Sequence, residues 1–244
     1  MANTILILGA KSDIGRAVAH YFAEQGFNVQ LAARNAADVS NDVSDLKLRY
    51  SVNVSAYDFD VLNFNTHPDF VSELTDMPDV VICVIGLLGD QLKAQKEWQH
   101  TRMVMDSNYS GPVSILNCFA NAFEQRQRGC IIGISSVAGD RGRQSNYIYG
   151  SSKSAFSVYL SGLRNRLYKS GVNVLTVKPG FVNTKMTAEM DLPEKLTAEP
   201  EQVAKDIFKA YTKNKAVIYT RWFWRWIMLT IKNIPESIFK KLSL

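Results

Sequence analysis

The chain has 244 residues, 46% of them hydrophobic and 21% charged, with a formal net charge of +5. This composition is that of a globular protein of one or two domains, and it excludes a disordered chain, a collagen and a disulfide-rich miniprotein. Residues 213–244 carry seven basic side chains and one acidic one, while the remaining 212 residues carry 21 basic and 22 acidic. The excess charge therefore belongs to the C-terminal segment, which argues against a nucleic-acid-binding body.

Short apolar runs alternate along the chain with longer segments of helical periodicity. The apolar runs predict strands over residues 4–8, 27–33, 50–56, 80–85, 130–134, 172–177 and 216–219. The segments between them predict helices over residues 14–25, up to about 48, 68–74, 97–126 with an interruption near 108–112, 147–169 and 201–211. This alternation predicts one α/β domain, residues 1–220, with a Rossmann-type doubly wound parallel sheet and helices on both faces. Residues 221–244 are predicted to form a basic, Trp-rich helical tail.

The chain shows no targeting or membrane-spanning pattern. Its first residues lack the basic region of a secretory signal, and no apolar stretch is long enough to span a bilayer. Cys83 and Cys130 fall in predicted buried strands, and Cys118 falls in a predicted helix. This spacing matches neither a zinc site nor a disulfide framework, so no metal site is predicted and the reducing cytoplasm is expected.

Two glycines mark the turn between the first predicted strand and helix, in the segment Gly-Ala-Lys-Ser-Asp-Ile-Gly. In this context a glycine-rich turn lets backbone amides and a helix N-terminus approach a phosphate group. A tight strand–helix turn of purely structural role is the alternative. The residues of this turn predicted to bind a dinucleotide are Gly9, Lys11, Ser12, Asp13, Ile14 and Gly15.

Arg34 follows the second predicted strand, where dinucleotide-binding folds face the adenine ribose. An acidic residue there binds the ribose 2′-hydroxyl, whereas a basic one accommodates a 2′-phosphate. The arginine favours NADP(H) over NAD(H), with a solvated surface arginine as the alternative.

Tyr149 and Lys153 are four residues apart and share one face of a predicted helix. An ammonium beside a phenol favours the phenolate, so Lys153 is expected to lower the pKa of Tyr149 and allow proton exchange with an alcohol. Ser136 ends a buried strand at the carboxyl edge, where open α/β sheets bind ligands. Its hydroxyl is placed to hydrogen-bond a substrate carbonyl.

In their order and combination, these motifs resemble the short-chain dehydrogenase/reductase family over roughly residues 3–220. The resemblance implies an NADPH-dependent enzyme that transfers hydride between nicotinamide and a carbonyl or secondary alcohol. In that family's mechanism, Ser136 would polarise the carbonyl and Tyr149 would act as general acid and base. Lys153 would lower the tyrosine pKa and hold the nicotinamide ribose, and Asn108 would hold a water that continues a proton relay.

The resemblance also implies further cofactor-binding residues and a homo-oligomer. Asp60 corresponds to the acidic residue near the adenine, and Gly86 to the close approach after the fourth strand. The segment beside the nicotinamide corresponds to Pro179, Gly180, Val182 and Thr184.

The chain departs from the family pattern at three places. Leu8 stands where a threonine is common, and Asp13 replaces the central glycine of the turn, where it is expected to cap the first helix. The usual Asn-Asn-Ala-Gly reads Cys-Val-Ile-Gly at residues 83–86, so the bracing asparagines are absent.

The tail is predicted to be an amphipathic helix that Pro235 bends or splits. One face carries Trp224, Ile227, Met228, Ile231, Ile234, Ile238 and Leu242. With flanking basic residues, this face fits binding to a cytoplasmic membrane surface, or alternatively packing on the body or on a second subunit. The tail and the Asp-Phe-Asp segment 58–60 also resemble, more loosely, the reductases of decaprenylphosphoryl-2-keto-ribose.

Three functions therefore remain open. The first is an NADPH-dependent reductase of a lipid-linked keto-sugar or other hydrophobic ketone. The second is a soluble oligomeric reductase of a small or acyl ketone, and the third is a catalytically silent NADP-binding sensor or scaffold. No nucleic-acid-recognition motif occurs in the sequence.

Overall fold

The structure, a computed structural model, describes residues 2–242, so residues 243 and 244 of the predicted tail lie outside it. The strands are β1 (Thr4–Leu8), β2 (Asn28–Ala33), β3 (Val54–Asp58), β4 (Val80–Cys83), β5 (Gly129–Ile134), β6 (Val172–Pro179), β7 (Phe181–Val182), β8 (Thr197–Ala198) and β9 (Val217–Thr220). The helices are α1 (Asp13–Glu24), α2 (Ser40–Tyr50), α3 (His67–Ser72), α4 (Gln91–Ala94), α5 (Trp98–Met105), α6 (Gly111–Arg126), α7 (Tyr147–Leu167), α8 (Pro200–Thr212), α9 (Trp224–Asn233) and α10 (Glu236–Phe239).

Seven strands form one parallel sheet in the order β3-β2-β1-β4-β5-β6-β9. Helices α1, α2 and α8 pack on one face, and α3, α6 and α7 pack on the other. The central strands β1 and β4 are buried on both sides, which explains why they are continuously apolar rather than alternating. The doubly wound fold is confirmed, and the strand order reverses beside β1, which places a ligand crevice at the carboxyl ends of β1 and β4.

The predicted strand over residues 50–56 is wrong in its bounds. Helix α2 continues through Tyr50, Ser51 turns the chain with φ at 55°, and β3 begins only at Val54. Tyr50 is partly buried and packs against the core from the end of α2, so this aromatic residue contacts the core without being part of a strand.

The predicted break near residues 108–112 is a π-helical turn, Asp106–Ser110, that joins α5 to α6. The chain stays helical through Pro112, the second residue of α6, and the N–H of Gly111 just before it donates to the Asp106 carbonyl, five residues back, as in a π-helix. The fully buried Asn108 lies in this turn. Such π-bulges are frequent at functional sites.

Helix α9 packs on the body with part of the face that was expected to meet the membrane. Trp224 and Met228 are buried and form a cluster with Val137, against which Ile227 and Ile231 also pack. This part of the face follows the alternative of packing on the body, whereas Ile238 and Leu242 of the same predicted face stay exposed. An amphipathic pattern reveals an apolar face but not which apolar medium covers it.

Arg141 fastens the end of α9 to the body. Its guanidinium donates to the backbone carbonyls of Ile231, Lys232 and Ile234 at 3.2, 2.9 and 2.8 Å. These acceptors include carbonyls of the last helical turn, which lack intrahelical partners. Pro235 then separates α9 from α10, which confirms the predicted split. None of the helices within residues 2–242 has the length and apolar character needed to cross a membrane.

Two neighbouring residues of α9 test whether this helix is docked in solution. We expect Met228→Ala to lower the free energy of unfolding by about 2–5 kcal/mol, because it leaves a cavity under the helix. Leu229→Ala should change it by less than about 0.5 kcal/mol, because Leu229 is 51% exposed. Urea denaturation measures both changes, and equally small effects would contradict the docking.

Candidate active site

The glycine turn between β1 and α1 is closed against β4. Gly9 has φ at +93°, and a Cβ there would lie 2.9 Å from the Ile85 side chain. A Cβ on Gly15 would lie 2.8 Å from the Gly9 carbonyl oxygen. Ser12 caps α1, since its hydroxyl accepts from Gly15 N–H at 3.0 Å and donates to the Gly9 carbonyl at 2.9 Å. The turn thus leaves the first amides of α1 directed to the crevice, as phosphate binding requires.

Asp13 does not cap α1, contrary to expectation. The cap is Ser12, and the Asp13 carboxylate instead accepts the backbone N–H of Lys185 at 2.8 Å. We call residues 183–196, between β7 and β8, the flap. The aspartate that replaces the usual glycine therefore fastens the flap to the turn.

The end of β2 carries a cluster of charged and polar side chains. Lys11 forms an ion pair with Asp38, which also accepts from Asn35 at 2.9 Å. Arg34 is exposed and has neither a hydrogen bond nor an ion pair within residues 2–242. Arg34 is the free cation of this cluster, because Lys11 is already neutralised.

Only one carboxylate of the Asp-Phe-Asp segment faces the crevice. Asp58 accepts the Ala36 N–H at 2.7 Å and closes the loop after β2. Asp60 accepts the Leu62 N–H at 3.0 Å and lines the crevice beside Phe59. Asp60 therefore lies at the crevice, and its place near an adenine stays a prediction.

A cavity of about 390 Å³ runs along the carboxyl edge of the sheet. The predicted residues that line it are Gly9, Lys11, Ser12, Arg34, Asp60 and Gly86. Lining residues that the sequence did not reveal are Phe59, Val61, Leu62, Val84, Ile85, Leu87, Met103, Ser107 and Met186. Most of these are apolar side chains without a motif, so only the fold could bring them together.

Asn108 braces the chain just after segment 83–86. Its amide nitrogen donates to the carbonyls of Leu87 and Val104 at 2.7 and 2.8 Å, and its oxygen accepts the Leu87 N–H at 3.2 Å. A Cβ on Gly86 would lie 3.1 Å from the Asn108 oxygen and 3.2 Å from the Lys153 ammonium. The glycine therefore keeps the floor of the crevice open beside Lys153.

Lys153 lies beneath this floor and is 3% exposed. Its ammonium donates to the Ile134 carbonyl at 3.0 Å and lies 5.8 Å from the centre of the Tyr149 ring. Ser135 adds a bond that the sequence did not suggest, because its hydroxyl donates to the Lys153 carbonyl at 2.9 Å. Strand β5 thereby fixes the first half of α7, and with it Tyr149 and Lys153.

Ser136 and Tyr149 meet at the carboxyl end of β5. The Ser136 hydroxyl accepts the Ala138 N–H at 3.1 Å, and it lies close enough to the Tyr149 hydroxyl to lower the pKa of that phenol. The structure therefore brings the predicted Ser136, Tyr149, Lys153 and Asn108 into one site.

The pKa of Tyr149 is raised to about 12, rather than lowered as expected from Lys153 alone. Burial disfavours the phenolate, and the hydrogen bond from Ser136 offsets only part of that cost. Burial likewise lowers the pKa of Lys153 to about 8. Tyr149 therefore keeps its proton at neutral pH, in the state of a general acid.

The segment after β6 joins the site to the tail helix. A Cβ on Gly180 would overlap the Trp224 indole, whose N–H donates to the Leu196 carbonyl at 3.3 Å. Trp224 therefore contacts both the predicted Pro179-Gly180 segment and the far end of the flap.

The last predicted residues differ in their surroundings. Thr184 caps the first turn of the flap with Thr187, whose hydroxyl also donates to the Val182 carbonyl at 2.6 Å. The side chains of Val182 and Ile14 pack in or against the core, so any contact of these two residues with a cofactor must come from their backbone.

A sequence profile described as short chain dehydrogenase matches residues 3–195. The chain belongs to the short-chain dehydrogenase family. An uncharacterized oxidoreductase of Mycobacterium tuberculosis is 31% identical over 244 residues, which cover 99% of this chain and 97% of the relative. An uncharacterized oxidoreductase of Streptomyces coelicolor is 29% identical over 243 residues, which cover 98% and 96%.

Solved structures share the fold of this short-chain dehydrogenase. A short-chain dehydrogenase from Sphingobium yanoikuyae in complex with NADPH has a TM-score of 0.83 at 22% identity, covering 96% of this chain and 97% of that one. The bulky-bulky ketone specific alcohol dehydrogenase from Comamonas testosteroni has a TM-score of 0.79 at 22% identity, covering 96% of both chains. Family membership makes the protein an NAD(P)-dependent oxidoreductase.

The crevice fits the cofactor of this family. Gly9 and Gly86 leave the space that side chains would fill, the start of α1 faces a pyrophosphate position, and Asp60 and Arg34 border the adenosine end. Within the described part of the chain, no group of three or more His, Cys, Asp or Glu side chains is placed to hold a metal ion.

The shifted pKa of Lys153 predicts how the reductive rate depends on pH. With a pKa of about 8, the ammonium is present below that pH and is lost as the pH rises through it. Because the ammonium stabilises the phenolate formed when Tyr149 gives up its proton, kcat/KM for ketone reduction should fall above about pH 8. Initial rates at saturating cofactor measure this, and a profile that is flat from about pH 7 to about pH 10 would contradict the assignment.

Proposed function

We propose that this short-chain dehydrogenase uses NADPH to reduce a hydrophobic ketone to a secondary alcohol. The carrying observation is the arrangement of three side chains: Tyr149 lies beside Ser136, and the buried ammonium of Lys153 lies 5.8 Å from the centre of the Tyr149 ring, while burial raises the pKa of Tyr149 to about 12. A phenol that keeps its proton at neutral pH is a proton donor, which is the role that carbonyl reduction requires.

The side chains of the site divide the work of reduction. The nicotinamide supplies the hydride when bound. Ser136 donates a hydrogen bond to the carbonyl oxygen, and Tyr149 gives that oxygen its proton as charge develops there. The Lys153 ammonium stabilises the resulting phenolate, which has little water to solvate it.

The return of a proton to Tyr149 starts at Lys153. The ammonium has three N–H groups, and one of them donates to the Ile134 carbonyl. The side chain of Asn108 is committed to Leu87 and Val104, so the relay water predicted for this residue would have to use its backbone carbonyl.

The preference for NADPH rests on Arg34. This exposed guanidinium borders the crevice at the end of β2 without a carboxylate partner, whereas Lys11 is paired with Asp38. A 2′-phosphate at this position would pair with Arg34, and no acidic side chain stands in its place to bind a 2′-hydroxyl.

The choice of a hydrophobic ketone rests on the apolar side chains that line the crevice. They include Phe59, Leu87 and, from the flap, Met186. Such a lining favours a ketone with large apolar substituents, including a lipid-linked keto-sugar, because the apolar substituents would leave water for apolar surroundings. The homo-oligomer stays a prediction, as does the soluble reductase of small or acyl ketones.

A charge reversal at Arg34 tests the cofactor preference. We expect the wild-type protein to bind NADPH more tightly than NADH, and Arg34→Glu to weaken NADPH binding by about tenfold or more, because it replaces an ion pair with a repulsion. Fluorescence titration with both cofactors measures the change. Arg128→Glu, at another exposed arginine, is the matched control, and equal affinities in the wild type would contradict the assignment.

Removal of one hydroxyl tests the chemistry. We expect Tyr149→Phe to bind NADPH normally while kcat falls by about 10²–10⁴, because the proton donor is lost. Tyr168→Phe is the control, since Tyr168 is 82% exposed on the surface. Unchanged turnover in Tyr149→Phe would remove Tyr149 from its role, and a wild type that binds NADPH without reducing any ketone would favour a sensor or scaffold.

A further inference from the structure

The side of α9 that faces away from the body is also apolar. Trp226 and Leu229 of α9 are 57% and 51% exposed, and Trp222, in the turn just before α9, is 74% exposed. Trp226 and Leu229 lie on the side of the helix away from Trp224 and Met228, which are buried against the body. We call these three residues, together with Ile238 of α10 and Leu242 just after it, the outer face.

The outer face contains an apolar hollow between α9 and α10. The break at Pro235 leaves a depression of about 550 Å³, lined mainly by aliphatic side chains that include Leu229, Ile234, Ile238 and Leu242. Ile238 and Leu242 are 53% and 41% exposed. A monomeric soluble protein rarely leaves such a set of large apolar side chains in water without a partner.

The surroundings of the outer face are positively charged. Arg225, Lys232, Lys240 and Lys241 are exposed around it. The single carboxylate, Glu236, is paired with Arg141 of the body at 2.7 Å, so it does not offset these four charges.

We propose that the outer face docks on an anionic lipid bilayer. The basic side chains are placed to meet lipid phosphates, the tryptophans suit the headgroup level, and the hollow is of a kind that acyl chains fill. A second copy of this chain fits less well, because a two-fold contact would bring both sets of positive charges together.

Docking in this orientation would bring the bilayer close to the active site. Trp224 contacts Gly180 and the flap on the inner side of α9, while Trp226 of the same helix and Trp222 of the preceding turn are exposed. One helix thickness would then separate the Gly180 segment and the flap from the lipid. The docking itself needs neither cofactor nor turnover, so it stands or falls independently of the proposed reduction.

Flotation of the full chain with vesicles tests the proposal. We expect co-flotation with vesicles of mixed phosphatidylglycerol and phosphatidylcholine, and little with phosphatidylcholine alone. The triple variant Trp222→Ser, Trp226→Ser, Leu229→Ser should lose flotation, yet keep NADPH binding and reduction of a water-soluble ketone. Trp98→Ser is the matched control, because Trp98 is 67% exposed on α5, away from the tail, and should float like the wild type.

Charge reversal gives a second, independent measurement. Arg225→Glu and Lys232→Glu should each weaken binding to the anionic vesicles by about fivefold or more. The tryptophan emission of the wild type should shift to shorter wavelength on binding, and this shift should disappear in Trp222→Phe, Trp226→Phe. Failure of the wild type to float, flotation unchanged in the triple variant, or a dimer that the triple variant dissociates would each overturn the proposal.

Discussion

The burial of the Lys153 ammonium is the constraint around which the site is built. A charged group so nearly removed from water must be compensated, and the Ile134 carbonyl at the end of β5 supplies the hydrogen bond. The same burial removes water from Tyr149 and keeps its proton in place. Gly86 and Asn108 approach the ammonium from the side of β4. Position 86 is a glycine there, because a larger side chain would meet the ammonium.

The departures from the family pattern are compensated by other contacts. Asp13 does not destroy the glycine turn, because its carboxylate is turned away to the Lys185 amide of the flap. The segment after β4 lacks the usual asparagines, but Asn108 makes three hydrogen bonds to Leu87 and Val104 just beyond it. The turn and the crevice floor therefore keep their shape although the residues that usually maintain them are missing.

The C-terminal helix is a part of the active site as well as a separate surface. Trp224 closes on Gly180 and the flap, and Arg141, five residues after Ser136, fastens the end of α9. These contacts of Trp224 and Arg141 join the basic tail to the nearly neutral body. The basic side chains that give the chain its net charge of +5 therefore lie on a segment packed against the body, not on a loose appendage.

By itself, the sequence determined the alternation of strands and helices, the glycine turn and the spacing of Ser136, Tyr149 and Lys153, because these are local patterns with a fixed period. The π-turn at Asn108, the start of β3 and the backbone N–H that donates to Asp13 were not predictable, since each depends on a partner distant in the chain. Only the tertiary structure decided the sign of the Tyr149 pKa shift and which face of α9 is buried. Both depend on how much water the surrounding elements exclude, and no local pattern records that.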